Sequence, residues 1–149
     1  MKSRYGLEIR AATAADAPGL AELFGWVGIV IAPRVLTERL ESSRQQPGVA
    51  LIAVEWGPPS GVIVAHWYRT LEWDHPVACV TSLLVGPDDR RRGIGRMLLK
   101  AASQAARSAG CDVLEMTVGE EADALRAFCQ ASGFVGNGAR VSRGLRKKM

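Results

Sequence analysis

The chain has 149 residues, the length of about one ordinary domain, and its 48% apolar and 23% charged residues are the balance of a soluble globular protein, not a disordered or fibrous one. No run of about eighteen apolar residues could span a bilayer, and Met1 to Arg10 carries no apolar leader, so a cytoplasmic protein without membrane contact is expected. The net charge of +4 is local, in Arg90 to Arg96 and Arg140 to Lys148, without the broad basic face and aromatic platforms that a nucleic acid needs.

From the N-terminus, Leu7, Ile9 and Arg10 read as a short first strand. Thr13 or Asp16 stands where a helix N-cap belongs, with Pro18 in the first turn. Ala17 to Phe24 follows as a helix with Leu20, Leu23 and Phe24 on its inner face. Gly25 to Pro33 is apolar but broken by glycine, and fits no regular element. Val35 to Ser42 is a second helix, with Leu36 and Leu40 one turn apart.

Pro47-Gly48 turns into a strand from Val49 to Trp56. Gly57-Pro58-Pro59-Ser60-Gly61 is a hairpin turn, and Val62 to Arg69 is the return strand. The loop Thr70 to Pro76 carries Glu72, Trp73, Asp74 and His75, and Val77 to Val85 completes an antiparallel meander. Beyond Gly110, Cys111 to Val118 reads as a strand and Glu120 to Ala131 as a helix with Leu125, Phe128 and Cys129 inward. Phe134-Val135 and Ala139 to Leu145 read as a last hairpin turning at Asn137-Gly138, before a frayed tail. With no repeat and no linker, residues 1–149 are expected to form a single domain.

The chain is organised around the junction between Val85 and Ile94. The strand is broken by Gly86-Pro87-Asp88-Asp89, followed by Arg90-Arg91-Arg92-Gly93-Ile94-Gly95-Arg96. Ile94, Met97, Leu98, Ala101, Ala105 and Ala109 then recur at three- and four-residue steps, one face of a helix, and Gly110 sits at its C-terminal cap. A helix start offers unpaired N–H groups and the positive end of the macrodipole. Glycines without a Cβ let a ligand lie against that backbone, and the arginines add charge, so a pyrophosphate suits the turn. Two other phosphate loops fail on spacing: no GxxxxGK[ST] string exists, and Gly93-Ile94-Gly95-Arg96-Met97-Leu98 lacks the third glycine of GxGxxG. The arginines alone would also suit a solvated charge run before an ordinary helix.

R-x-x-G-x-G, filled by Arg90, Gly93 and Gly95, resembles the acyl-CoA signature of the GNAT superfamily of N-acyltransferases. Its flanks Leu84-Val85-Gly86-Pro87 and Gly95-Arg96-Met97-Leu98-Leu99 resemble the family's usual ones, and the likeness runs along nearly the whole chain. It implies a mixed α/β (α+β) fold: a mostly antiparallel twisted sheet of roughly six to seven strands with a splayed central pair, flanked by about four helices. It implies acetyl-CoA as co-substrate and no metal. The pyrophosphate would lie on Arg90, Arg91, Arg92, Gly93, Ile94, Gly95 and Arg96. The pantetheine arm would lie along Leu83, Leu84 and Val85, with an N–H near Leu84 facing the thioester oxygen. Trp26 and Ile29, in the segment joining the first two helices, would line the acceptor pocket, although core packing suits them too.

The sequence departs from the family's pattern where a tyrosine often protonates the leaving thiolate, in a run like RxFYxxxGF. Here the run is Arg126-Ala127-Phe128-Cys129-Gln130-Ala131-Ser132-Gly133-Phe134, and Cys129 stands in the tyrosine's place. A cysteine with its ordinary pKa of roughly 8.5 is a candidate acid, beside the simpler reading of a buried packing thiol. Where other members place a glutamate base this chain has Thr81-Ser82, and Ser82 can at most orient a water. Cys79, Cys111 and Cys129 are odd in number and lack CxxC spacing, so neither a disulfide framework nor a zinc site is expected.

The function implied is transfer of an acetyl group to a primary amine, of a small molecule first, by direct attack in a ternary complex. The alternatives are an acceptor in a protein or peptide, a catalytically weak acyl-CoA-binding module, and a basic module binding nucleic acid. The exposed apolar residues of Gly25 to Ala32 would suit a homodimer contact.

Overall fold

The computed structural model describes residues 6–90, 92–117, 123–136 and 141–145. The chain divides into two compact units, Met1–Met116 and Thr117–Met149.

The first unit is a five-stranded sheet in the order β1-β2-β3-β4-β5, with β1 Glu8–Ala11, β2 Gly48–Val54, β3 Gly61–Tyr68, β4 Val77–Val85 and β5 Val113–Met116. Neighbours pair antiparallel except β4 and β5, which are parallel because a helical crossover joins them. β4 begins after Pro76 and ends at Gly86-Pro87, so proline fixes both of its boundaries as expected. β2 stops at Val54, short of Trp56, and the Ser60 N–H returns to the Ala53 carbonyl to close the turn.

Helices α1 (Ala17–Trp26) and α2 (Pro33–Ser43) cover one face of the sheet. Leu20, Leu23 and Leu36 pack there with Ile52, Val62, Val64 and Leu84. Helix α3 (Ile94–Ser108) covers the opposite face, since Gly61, next to Val62 on β3, points at Ile94 and Leu98. At the far end of α3, Ala106 packs with Ala78, Cys111 and Trp67. Trp67 therefore faces α3, and His66 the other side.

α3 ends as its glycine predicts. Gly110, at φ 95°, donates to the Arg107 carbonyl and Cys111 to the Ala106 carbonyl, the paired bonds of a Schellman cap. Cys111 is thereby committed to the cap, which is why β5 starts two residues later than the sequence pattern suggests.

In the second unit α4 spans Asp123–Ala131 and ends on the same device, with Gly133 at φ 90° and the Phe134 N–H on the Cys129 carbonyl. Residues 134–136 and 141–145 join no ladder. The five strands described are thus fewer than the expected sheet, whose shortfall is the last hairpin; its Asn137-Gly138 turn lies outside the described residues. Among the described residues no helix is long and apolar enough to cross a membrane.

Candidate active site

Two features of β4 prepare the site. The first is a bulge. Val64 pairs with Ser82 and Ala65 with Val80, so Thr81 is an extra residue without a partner opposite. The second is the short reach of β5: the parallel ladder ends at Val80 beside Met116. From Thr81 to Val85 the edge of β4 facing away from β3 has no strand partner among the described residues.

The side chains divide by face. Leu84 lies opposite Val62 and packs on the α1 side, and Ser82 lies opposite Val64 on that same face. Leu83 and Val85, opposite Ile63 and Gly61, point towards α3. All of them are half-buried.

At the top of β4 the chain passes through a single 3-10 turn, Pro87–Asp89, into the arginine and glycine turn. Gly93 is left-handed, at φ 80° and ψ 10°, with open space where a Cβ would stand. Its carbonyl accepts the first helical bond, from the Met97 N–H, and no side chain among the described residues caps the helix. The N–H groups of the first turn of a 15-residue helix are thus left for an external acceptor. Ile94 and Leu98 hold this end of α3 on the sheet, and both are fully buried.

The arginines have different surroundings. Arg90 and Arg96 are exposed and form no ion pair with any described residue; Arg91 lies outside the described residues. Arg92 is engaged. Its Nη1 donates to Asp89 Oδ1 at 2.8 Å, and its Nη2 donates to Glu55 Oε1, just past the end of β2. Those carboxylates, Glu55 foremost, push the guanidinium pKa further up. The same β2–β3 turn is tied to this region a second time, by the Gly86 N–H on the Ser60 carbonyl at 2.8 Å.

Trp26, at the end of α1, reaches the start of the turn, its Cε3 3.5 Å from where a Cβ on Gly86 would stand. Trp26 is 48% exposed, so it is a wall open to solvent and not a core residue. Ile29, in the connection after α1, is also exposed. Cys129 belongs to the second unit, where burial raises its thiol pKa.

Sequence reasoning missed Glu55, Asp89 and the bulge at Thr81. Glu55 and Arg92 are 37 residues apart, and no local spacing announces such a pair. Also missed was Tyr68, whose hydroxyl donates to Glu115 Oε1 at 3.2 Å across the α1 face of β4. Burial, and then the negative charge of Glu115, raise the phenol's pKa, so Tyr68 keeps its proton through the neutral range.

The whole arrangement is similar to solved acetyltransferases. An acetyltransferase of Trypanosoma brucei is 20% identical, with a TM-score of 0.80 over 93% of this chain and 99% of that one. An aminoglycoside acetyltransferase from an uncultured soil metagenomic sample, in complex with sisomicin, is 20% identical, with a TM-score of 0.78 over 96% and 97%. AAC(6')-Iy, in complex with the bisubstrate analogue CoA-S-monomethyl-acetylneamine, is 19% identical, with a TM-score of 0.80 over 95% and 99%. At these identities the likeness shows the fold. No curated protein sequence matches the chain. Residues 21–134, which run from α1 through the bulged strand and the arginine turn to the end of α4, match the acetyltransferase (GNAT) family, and the chain belongs to that family as an acyltransferase.

Proposed function

We propose that the protein transfers an acetyl group from acetyl-CoA to a primary amine of a small molecule, with both substrates bound together. The observation that carries this reading is the continuity of two open features, the edge of β4 that has no strand partner and the start of α3 that has no side-chain cap among the described residues. A pyrophosphate on the N–H groups of Gly93 to Arg96, with Arg90 and Arg96 adding charge, would leave the pantetheine arm beside Leu83 to Val85. The bisubstrate complex of AAC(6')-Iy and the sisomicin complex of the soil enzyme support CoA and a compact amine as the substrate classes.

In the reaction the amine nitrogen attacks the thioester carbonyl, the C–S bond breaks and the amide forms. The amine gives up one proton and the leaving thiolate takes one. A backbone N–H near Leu84 would stabilise the developing oxyanion. Ser82, on the α1 face of β4, would orient a water. Cys129, which stands in the place of the family's tyrosine, would be the candidate acid for the thiolate. Trp26 and Ile29 would wall the acceptor side. We read residues 1–149 as one functional domain, working in the cytoplasm, with the exposed residues of the α1–α2 connection as a homodimer contact.

The test is a thermal-shift series with acetyl-CoA, longer acyl-CoAs, free CoA and ATP. Stabilisation by the CoA compounds but not by ATP is expected, with acetyl-CoA the preferred donor when amine-dependent thiol release is then followed. No shift with any CoA compound at millimolar ligand would overturn the reading.

A further inference from the structure

Arg92 sits inside an arginine run that looks like one continuous phosphate-binding surface, yet its surroundings set it apart. Its two terminal nitrogens are each committed to a different carboxylate, Asp89 within the turn and Glu55 beyond the end of β2. The acids are the more sheltered partners, with side chains 19% exposed for Glu55 and 22% for Asp89, against 43% for Arg92. Freeing the guanidinium for a phosphate would leave two partly sheltered carboxylates unneutralised beside an incoming dianion. The Coulomb terms therefore favour keeping the trio intact when an anion arrives.

The trio also stands at a mechanically useful place. Arg92 immediately precedes Gly93, the left-handed residue that swings the chain into α3. Glu55 belongs to the β2–β3 turn, already tied to the base of the loop through Ser60 and Gly86. With the second tie, the loop is fixed to the sheet at its start and at its end. A loop so held presents the first N–H groups of α3 in one direction and loses less conformational freedom on binding.

From this we infer that Arg92 is a positioning residue, not a phosphate ligand, and that Glu55 acts through it to preorganise the acyl-CoA loop. The inference rests on the acyl-CoA reading above. Within the run, Arg90 and Arg96 supply charge to the ligand, whereas Arg92 supplies geometry.

The two roles predict opposite signs for one substitution. If Arg92 were a phosphate ligand restrained by acids, Glu55→Gln would release it and tighten acyl-CoA binding. With Arg92 as a clamp, Glu55→Gln weakens acetyl-CoA binding by about three- to five-fold, the scale of a surface ion pair, and leaves kcat at saturating acetyl-CoA unchanged. Asp89→Asn moves the dissociation constant the same way and serves as the second variant. In an Arg92→Ala background, Glu55→Gln has no further effect, because its action runs through the missing guanidinium.

Isothermal titration of the full chain with acetyl-CoA and with free CoA reads all of these. Tighter or unchanged binding in Glu55→Gln and Asp89→Asn overturns the inference, and so does a full Glu55→Gln effect in the Arg92→Ala background. Failure of the acyl-CoA reading shows differently, as no heat of binding in the unsubstituted protein.

Discussion

Gly61 and Leu98 approach so closely that a Cβ on Gly61 would stand 2.9 Å from Leu98 Cδ1. The same Cβ would stand 3.1 Å from Ile94 Cγ2 and 3.1 Å from the Leu84 carbonyl oxygen. Leu98 can swing a methyl group aside, but the Leu84 carbonyl belongs to the β4 ladder and cannot. The missing side chain at the start of β3 is what lets the first turn of α3 lie directly on the sheet beside the last residues of β4. Gly61→Ala should therefore lift that turn and destabilise the protein by about 1–2 kcal/mol, within the range for overpacking a well-filled core. Acetyl-CoA affinity should fall together with stability. Chemical denaturation and titration calorimetry on the one variant check both effects; unaltered affinity in a destabilised Gly61→Ala protein would separate the placement of α3 from ligand binding.

The Arg10–Asp16 pair links the first strand to the turn that starts α1. Arg10 Nη1 and Nη2 donate to Asp16 Oδ2 and Oδ1 at 2.9 and 2.8 Å, and the Thr13 N–H donates to the same carboxylate at 2.8 Å. The Arg10 hydrogen bond is the chief cause that lowers the Asp16 pKa, ahead of an opposing contribution from burial. A lowered carboxylate pKa stabilises the fold above the unfolded-state value and ceases to do so as pH falls through the folded-state value. Asp16→Asn should therefore be less stable than the parent at neutral pH, by about 1 kcal/mol because Arg10 remains partly solvated. The gap should close below the ordinary carboxylate range, near pH ~4 and lower. Urea midpoints at neutral and acid pH measure it, and a gap that persists undiminished in acid would assign the effect to packing.

The limits of β4 and α3 were more legible in the sequence than the bulge and the ion pairs beside them, and the difference is physical. The limits of β4 and the start of α3 are local, set by proline, by glycine and by a change from alternating to helical periodicity, so they could be read directly. The caps at Gly110 and Gly133 are local for the same reason. Thr81 is β-branched and fits a regular strand as well as a bulge, so only the register against β3 exposes it. The division of labour among Arg90, Arg92 and Arg96 depends on Glu55, brought up by the β2–β3 turn, and composition alone makes the three arginines alike. The glycine and arginine spacing, and then the resemblance to the family, marked the turn as a candidate anion site, whereas the ion pairs that shape it belong to this chain's tertiary structure.

Cys129 offers a test of the chemistry. Burial raises its pKa, and only 6% of the residue is exposed, so at neutral pH it is a sheltered thiol rather than a thiolate. Thiolate is the species that reacts with iodoacetamide, so alkylation of Cys129 in the folded protein should be much slower than in the unfolded chain at pH 7. In the proposed reaction a neutral thiol could still donate, but the departing CoA thiolate could also take a proton from water or from the amine itself. Cys129→Ala should therefore lower turnover by less than about tenfold, below the usual 10²–10⁴ range for a committed acid or base. Its effect should fall on kcat and not on the acetyl-CoA dissociation constant. Peptide mapping of the alkylated protein and steady-state rates of Cys129→Ala with an accepted amine provide the two readings. A loss near a thousandfold at unchanged stability would make Cys129 the acid of the reaction, and Cys129→Ser would then be expected to recover little, because a hydroxyl is far less acidic than a thiol.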